Sequence, residues 1–309
     1  MKPKLSLVYL SLILAMLLWG YTFVAFKFAL ESFKPISIIF LRLIISVIFL
    51  FAFAIIAGKL QTIRREDFRF FILLAFFEPF LYFLGESFGL TYVSSTMGSV
   101  IIAIIPLIVP IAAYFIYRER LTILNWIGLL VSFGGVIAVV ISSEVELVAR
   151  LKGVLLLFLA VLSAVGYSLT VKGLSHKYNG FTITAYQNVL GIIMFLPLFL
   201  WYDAGSILSV RPTPVSWTSL LYLGIFGSSV TFVLFTFSIR EIGASRANIF
   251  TNLIPVFTAL LSYFLLKEAM PGLKVAGIFI VLIGVFLSQV KSIKLKKQKT
   301  FPVNYQFPA

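Results

Sequence analysis

The chain has 309 residues, of which 61% are hydrophobic and only 12% are charged, whereas an ordinary soluble domain carries about 25% charged residues. Its formal net charge is +14, and it contains no cysteine and a single histidine, His176. This composition excludes a water-soluble surface, disulfides, thiolate metal sites and cysteine nucleophiles. With one histidine, neither a metal site nor any other cofactor is expected.

Apolar runs of about 20 residues, each long enough to cross a bilayer as a helix, follow one another along nearly the whole chain. The first run lacks a small-residue cleavage site and is expected to be a retained helix. The predicted fold class is therefore an all-α polytopic membrane protein. Ten transmembrane helices are predicted, at residues 5–27, 35–57, 68–90, 93–116, 123–142, 151–171, 181–202, 215–237, 244–266 and 272–290.

Three ionisable side chains lie inside the second and third predicted spans: Arg42, Glu78 and Glu86. A charged group at the centre of a membrane helix costs about 2.5–3.5 kcal/mol on insertion scales. Glu78, Tyr82 and Glu86 recur every four residues, so a regular helix would place them on one side. Arg42 falls between the two glutamates in depth. A pair between Arg42 and one glutamate either holds the helices in register or forms a substrate-facing or proton-coupling site.

The fourth and ninth spans contain similar sequence segments, "AIIPLIVPIAAYFIYRE" and "NLIPVFTALLSYFLLKE". Pro106 and Pro255 take the same place in them, and each is predicted to kink or unwind its helix by removing a backbone hydrogen bond. Six more identities follow at the same offset: Tyr114 and Tyr263, Phe115 and Phe264, Glu119 and Glu268, Leu124 and Leu273, Gly128 and Gly277, and Gly135 and Gly284.

This repetition predicts two halves of five spans each, residues 1–145 and 151–290, followed by a basic tail, 291–309. A weaker sequence similarity between the beginnings of the two halves aligns Arg42 with Asn188. Because five is odd, the second half would enter the membrane from the opposite side, so that the repeats are inverted. Two such bundles can exchange inward-facing and outward-facing shapes around one midplane site.

Lysine and arginine are distributed unevenly between the two sides of the predicted spans. Most of the 25 fall on the side that holds both termini, including the five lysines of "KSIKLKKQK". The positive-inside rule therefore predicts cytoplasmic termini, with the tail beside an anionic leaflet of the bilayer. This distribution explains the net charge without a nucleic-acid partner.

Several segments together carry a family resemblance: "WGYTFVAFK" in the first span, "LR" at Arg42, "GLTYVSSTMGSVIIAIIPLIVPIAAYFIYRERLT" and the glycine-rich fifth span. They resemble the drug/metabolite transporter (DMT) superfamily, specifically its EamA-type ten-helix transporters, along the chain to about Lys291. The resemblance implies a central cavity and export of metabolites, amino acids or toxic compounds. Asn188, in place of a second arginine, would make the site electrically asymmetric.

Several other side chains are candidates for the site, and each has two alternative roles. On the family analogy Trp19 lines the cavity; alternatively it only fills space. Asn248 and Asn252, one helical turn apart, form interhelical hydrogen bonds or line the cavity. Four glycines of the fifth and tenth spans either pack these helices closely within the bundle or form a homodimer contact: Gly128, Gly135, Gly277 and Gly284.

The sequence therefore predicts a secondary transporter of the inner (plasma) membrane that moves a small organic metabolite, such as an amino acid, a related metabolite or a drug-like compound, by alternating access. The family resemblance implies outward movement. The alternatives are a lipid or lipid-linked sugar translocator of the same superfamily and, with less support, a membrane-embedded enzyme. One histidine and two buried acids give little basis for catalysis, and no Walker-type phosphate loop is present. Proton coupling and a homodimer stay open.

Overall fold

The structure is a computed structural model that describes residues 5–117, 123–142 and 147–295. Within these ranges all regular structure is helical. The α-helices are α1 (Leu5–Leu30), α2 (Pro35–Ile56), α3 (Phe68–Ala75), α4 (Tyr82–Tyr92), α5 (Ser95–Ile102), α6 (Ile105–Tyr117), α7 (Ile123–Ile141), α8 (Leu147–Leu174), α9 (Gly180–Tyr202), α10 (Ala204–Ile207), α11 (Pro214–Tyr222), α12 (Thr231–Ile242), α13 (Ala244–Ile249), α14 (Leu253–Leu265) and α15 (Gly272–Leu295).

Ten apolar helical segments lie where the sequence predicts its ten spans. Six of them are long and apolar enough to cross a membrane: Leu5–Leu30, Pro35–Ile56, Arg65–Tyr92, Val148–Leu174, Gly180–Tyr202 and Pro214–Ile242. Four are shorter: Ser95–Val109, Trp126–Val139, Phe250–Leu265 and Gly272–Gly284. The helical membrane fold is thus confirmed, whereas the crossing of the membrane by the four shorter segments stays a prediction.

The third predicted span is interrupted in its middle. A π-helical segment, Phe76–Leu81, joins α3 to α4, and inside it Glu78 has the extended backbone angles φ −147° and ψ 117°. Proline at position 79 explains the break, because a residue that precedes proline is pushed out of the α region. The regular helix that was predicted to carry Glu78, Tyr82 and Glu86 is therefore wrong, because it is interrupted at Glu78. A second π-helical segment, Leu223–Val230, joins α11 to α12.

The fourth and ninth predicted spans are also broken helices. The first break lies between the end of α5 and the start of α6 at Ile105, and the second is a 3₁₀ turn, Phe250–Asn252, before α14. Pro106 and Pro255 follow these breaks and lie in the first turn of α6 and α14. A proline there costs no intrahelical hydrogen bond, while its ring clashes with the carbonyl of a preceding turn and prevents a continuous helix. The interruption thus lies just before the prolines rather than at them.

Glycines bring α7 and α15 into close backbone contact. A Cβ atom on Gly135 would lie 2.7 Å from the carbonyl oxygen of Gly277 and 2.7 Å from the backbone nitrogen of Val281. At the other end of the contact, a Cβ atom on Gly284 would lie 2.7 Å from the carbonyl oxygen of Gly128. These glycines therefore pack two helices of one chain, which is the first of their two predicted roles.

Helices from the two predicted halves are interleaved. α1 packs against α11, α12 and α14, and α2 packs against α9 and the segment Leu223–Val230. The buried core follows these contacts, with Leu12, Met16 and Phe26 of α1 fully enclosed. The centre of the bundle therefore lies between α1 and α2 on one side and α8 and α12 on the other.

Candidate functional site

A cavity at this centre gathers most of the predicted site residues. Its volume is about 50 Å³, and because a buried water needs about 10–15 Å³, it has room for a few waters. Six of the predicted site residues line it: Trp19, Arg42, Glu78, Tyr82, Glu86 and Asn248. Much of the remaining wall is aromatic or aliphatic: Phe23, Phe83, Ile102, Ile105, Ala164, Tyr167, Phe232, Phe235 and Ile254.

Arg42 of α2 is held from several directions. Its Nε donates to Ser228 Oγ at 2.8 Å, and its guanidinium carbon lies 4.1 Å from the centroid of the Phe83 ring. Nη1 lies 4.0 Å from Glu86 Oε2. Gly227 leaves space for the guanidinium, since a Cβ atom there would lie 3.2 Å from Nη2. The π-helical segment Leu223–Val230 thus supplies both the serine and the space that position Arg42.

Glu86 of α4 is the glutamate that pairs with Arg42. Its Oε1 accepts a hydrogen bond from Tyr82 OH at 3.0 Å, and its side chain is 10% exposed. The 4.0 Å separation from Arg42 joins the two charges without a hydrogen bond, which needs about 2.7–3.2 Å. The pair is therefore an attraction of nearby charges in a buried site rather than a bidentate bridge.

Glu78 lies on the same cavity without such a partner. It is 6% exposed and forms no hydrogen bond or close ion pair with the described residues, although the charge of Arg42 attracts it from a greater distance. Its extended backbone interrupts the helix, yet its side chain lines the same cavity as Tyr82 and Glu86. The cavity therefore holds two carboxylates and one guanidinium in its described lining.

Trp19 of α1 combines both of its predicted roles. Its Nε1 donates to the carbonyl oxygen of Gly227 at 3.3 Å. Its ring makes edge contacts with Phe232 and Phe235, at centroid distances of 5.2 and 5.0 Å. The tryptophan therefore lines the cavity and fills the space between α1 and α12.

Asn248 of α13 lines the cavity and also bonds to another helix. Its Nδ2 donates to the carbonyl oxygen of Ala244 at 2.9 Å and to Ser168 Oγ on α8 at 3.4 Å. Asn252 is not among the lining residues. It lies in the 3₁₀ turn Phe250–Asn252, so the α-helical spacing that would have aligned it with Asn248 is lost.

Asn188 of α9 is likewise outside the cavity lining. Its Nδ2 donates to Ser46 Oγ at 2.7 Å and to the carbonyl oxygen of Ser228 at 2.9 Å. Asn188 therefore joins α9 to α2 and to the π-helical segment that holds Arg42, instead of facing the cavity as predicted. Its amide is used by these interhelical bonds.

The two helix breaks present side chains to the cavity next to the prolines rather than the prolines themselves. Ile105 and Ile254, which immediately precede Pro106 and Pro255, line it, as does Thr251. A change in either break would therefore alter the shape of the cavity wall directly.

Glu268, which follows α14, makes contacts that the sequence analysis did not predict. Its Oε1 accepts from Ser95 N at 2.8 Å, its Oε2 accepts from Thr96 Oγ1 at 2.6 Å, and Lys274 Nζ lies 3.3 Å from Oε2. This Glu268 cluster ties the end of the ninth span to the start of α5. The sequence held one indication of this role, because Glu268 is repeated as Glu119 in the similar segment of the fourth span. Glu119 lies outside the described residues.

Gln187 of α9 is a second polar residue that was not predicted from the sequence. It is fully buried, and neither its Oε1 nor its Nε2 has a hydrogen-bond partner among the described residues. Gly180, Thr184, Gln187 and Gly191 share one face of α9 by their helical spacing. Gly180 packs against Val233 of α12, which lines a larger cavity of about 330 Å³ beside Lys59 and Arg240; Gly191 packs against Pro79. This face of α9 runs from the end of the bundle that carries Lys59 and Arg240 towards Pro79 and Glu78.

Comparisons with known proteins agree on one family. The model of the EamA-like transporter family matches residues 6–141 and 151–289. An uncharacterized transporter of Archaeoglobus fulgidus is 31% identical over 279 residues, which cover 90% of this chain and 97% of that protein. The uncharacterized transporter YetK of Bacillus subtilis is 27% identical over 287 residues, covering 92% and 87%.

One crystal structure of a protein shares the fold. It matches 92% of this chain and 98% of its own with a TM-score of 0.69, at 16% sequence identity. At this identity the likeness concerns the fold alone.

Proposed function

Because the chain belongs to the EamA-like transporter family, we propose that this multi-pass membrane transporter is a secondary carrier. It moves a small organic solute through the central cavity by alternating access, as an exporter of the inner membrane. The family and the similar proteins are transporters rather than enzymes. The proposed driving force is the movement of protons across the membrane.

The observation that carries the proposal is the charged cavity at the meeting of the two predicted halves. Ligand sites for organic molecules typically measure about 300–1,000 Å³, whereas this cavity measures about 50 Å³. Admission of an organic solute therefore requires its walls to move apart. The breaks before Pro106 and Pro255 lie on that wall and are natural places for such movement.

The packing of α7 on α15 supports the proposal of inverted repeats. Gly128 is the sequence counterpart of Gly277, and Gly135 that of Gly284. In the structure Gly135 contacts Gly277, and Gly128 contacts Gly284. Exchanging each residue for its counterpart reproduces the same pair of contacts, as a two-fold relation between the halves requires.

Transport by purified protein in liposomes tests this function. Uptake and efflux are measured for amino acids, nucleobases and amine drugs, with and without a pH gradient. We expect at least one solute to move faster than in empty liposomes and a pH gradient to change its rate. Movement of fluorescent lipid without movement of any solute would instead favour the lipid translocator.

Replacement of the two prolines is expected to slow turnover more than it weakens binding. Pro106→Ala or Pro255→Ala restores a backbone N–H and removes the ring that prevents a continuous helix. If the repeats are inverted, the two variants should favour opposite facing states. Single cysteines placed at either end of the bundle can report this by thiol labelling, since the chain has no other cysteine. Wild-type transport and labelling in both variants would contradict a gating role.

Both termini are expected to be cytoplasmic, because the side that carries them holds most of the lysines and arginines. A short tag after Ala309 should be protected in intact cells and become accessible to membrane-impermeant reagents only after the membrane is opened. Modification of this tag from outside intact cells would reverse the proposed topology.

A further inference from the structure

The charges on the cavity wall do not balance. Its described lining contains two carboxylates, of Glu78 and Glu86, but one guanidinium, of Arg42. A buried charge is costly unless a partner of opposite charge or hydrogen-bond donors compensate it. When both glutamates are ionised, the described lining therefore carries one more negative than positive charge.

Arg42 and Glu86 are the two groups already engaged. Arg42 donates to Ser228 and lies 4.1 Å from the Phe83 ring centroid and 4.0 Å from Glu86. Glu86 also accepts from Tyr82. The guanidinium thus has a carboxylate, a hydroxyl and a ring face around it, and Glu86 is the carboxylate nearest to its charge.

Glu78 is the carboxylate left over. It is 6% exposed, lines the cavity, and forms no hydrogen bond and no ion pair within about 4 Å with the described residues. Proline 79 and the extended backbone at position 78 place it in a rigid interruption of the span. An acceptor held in this way is complementary to a donor that arrives with the solute.

The walls around Glu78 suit an apolar body attached to such a donor. Trp19, Tyr167 and Phe232 line the same cavity, and aromatic rings bind both apolar groups and, through their faces, cations. We propose that the cavity binds an organic monocation, a protonated amine on a compact apolar or aromatic body, with Glu78 as its counter-ion.

This inference deepens the proposed function and rests on it for its setting, but binding is measured separately from transport. The probe is radiolabelled 2-phenylethylamine, bound at equilibrium to purified protein. Its competitors keep the aromatic body and change only the charge: neutral 2-phenylethanol, zwitterionic phenylalanine and anionic 3-phenylpropionate. We expect saturable binding of the amine and competition from none of the three at equal concentration. Competition by phenylalanine or 3-phenylpropionate as strong as by unlabelled amine would overturn the assignment of a monocation.

The carboxylate is tested by Glu78→Gln, which keeps its size and removes its charge. Loss of a desolvated charge pair typically costs at least about tenfold in affinity, so we expect amine binding to weaken by that factor or more. Glu66→Gln is the matched control, because the Glu66 side chain is 71% exposed beside Arg64, and it should bind the amine as the wild type does. Equal amine affinity in Glu78→Gln and Glu66→Gln would refute the role of Glu78.

A second variant covers the case in which Glu78→Gln does not fold. Glu78→Asp keeps the charge on a shorter side chain and should retain the preference for the amine over 2-phenylethanol. Loss of that preference in folded Glu78→Asp would also count against the proposal. Transport of other solutes without amine binding would refute this inference and leave the proposed function standing, while amine binding without any transport would do the reverse.

Discussion

Arg42→Ala is expected to abolish transport and to lower the free energy of unfolding by about 3–5 kcal/mol, the usual result of removing one partner of a buried ion pair. The substitution leaves Glu86 buried without a compensating charge and empties the space between Ser228 and Phe83. Chemical unfolding of the purified variant measures the stability, and liposome flux measures the transport. Arg64→Ala is the matched control: Arg64 is 74% exposed, 3.7 Å from Glu66, so its loss should cost about 1 kcal/mol or less.

A double-mutant cycle identifies the partner. Glu86→Gln should recover part of the stability lost in Arg42→Ala, because the orphaned carboxylate is then removed. Glu78→Gln should couple to Arg42→Ala more weakly, since Glu86 is the one carboxylate among the described residues that lies within 4.0 Å of the guanidinium. Stronger coupling to Glu78 than to Glu86, or none to either, would show that the pairing in the structure is wrong.

Gly135→Leu is expected to cost stability by forcing α7 away from α15. Its side chain would collide with the backbone at Gly277 and Val281, and overpacking of a tight contact typically costs about 1–3 kcal/mol or more. Gly134→Leu is an internal control on the adjacent residue, because a Cβ atom at Gly134 meets no described atom within 4 Å. Both variants add the same side chain to the same helix and differ only in the face that carries it.

The comparison between these two variants decides the result. Unfolding in detergent or in bilayer discs should show Gly135→Leu to be the less stable variant. Should the two variants be equally stable, α7 and α15 would not pack through this glycine face in the membrane. Lower stability of both would point to a general effect of leucine in this helix instead.

Hydrophobicity alone predicted the positions of the helical segments, because the lengths of apolar runs determine where membrane helices begin and end. It did not predict the break at Glu78, although Pro79 is visible in the sequence. Proline is tolerated in many membrane helices, and whether it interrupts one depends on the neighbours that satisfy the freed backbone groups. Breaks at Pro106 and Pro255 were predicted from the sequence, but each lies just before its proline rather than at it.

The candidate site divides in the same way. Arg42, Glu78 and Glu86 were predictable because charged groups inside membrane spans are costly and rarely incidental. Asn188 was predicted to face the site, and for Asn252 this was one of two predicted roles, but the orientation of each depends on contacts between helices far apart in the chain. Ser228, which holds Arg42, gave no sequence signal, since a serine in a membrane helix ordinarily bonds within its own helix.

If the carrier works by the proposed alternating access, the Glu268 cluster is expected to slow one step of its cycle. Separating α5 from the end of α14 must break the bonds of Glu268 with Ser95 and Thr96, and a hydrogen bond to a charged group contributes about 1.5–3 kcal/mol. Much of that energy enters the barrier to opening this end of the bundle before new contacts form. The carrier should therefore spend most of its time with this end closed. Its rate at saturating solute would then be limited by release at this end rather than by loading at the opposite end, which carries Lys59 and Arg240.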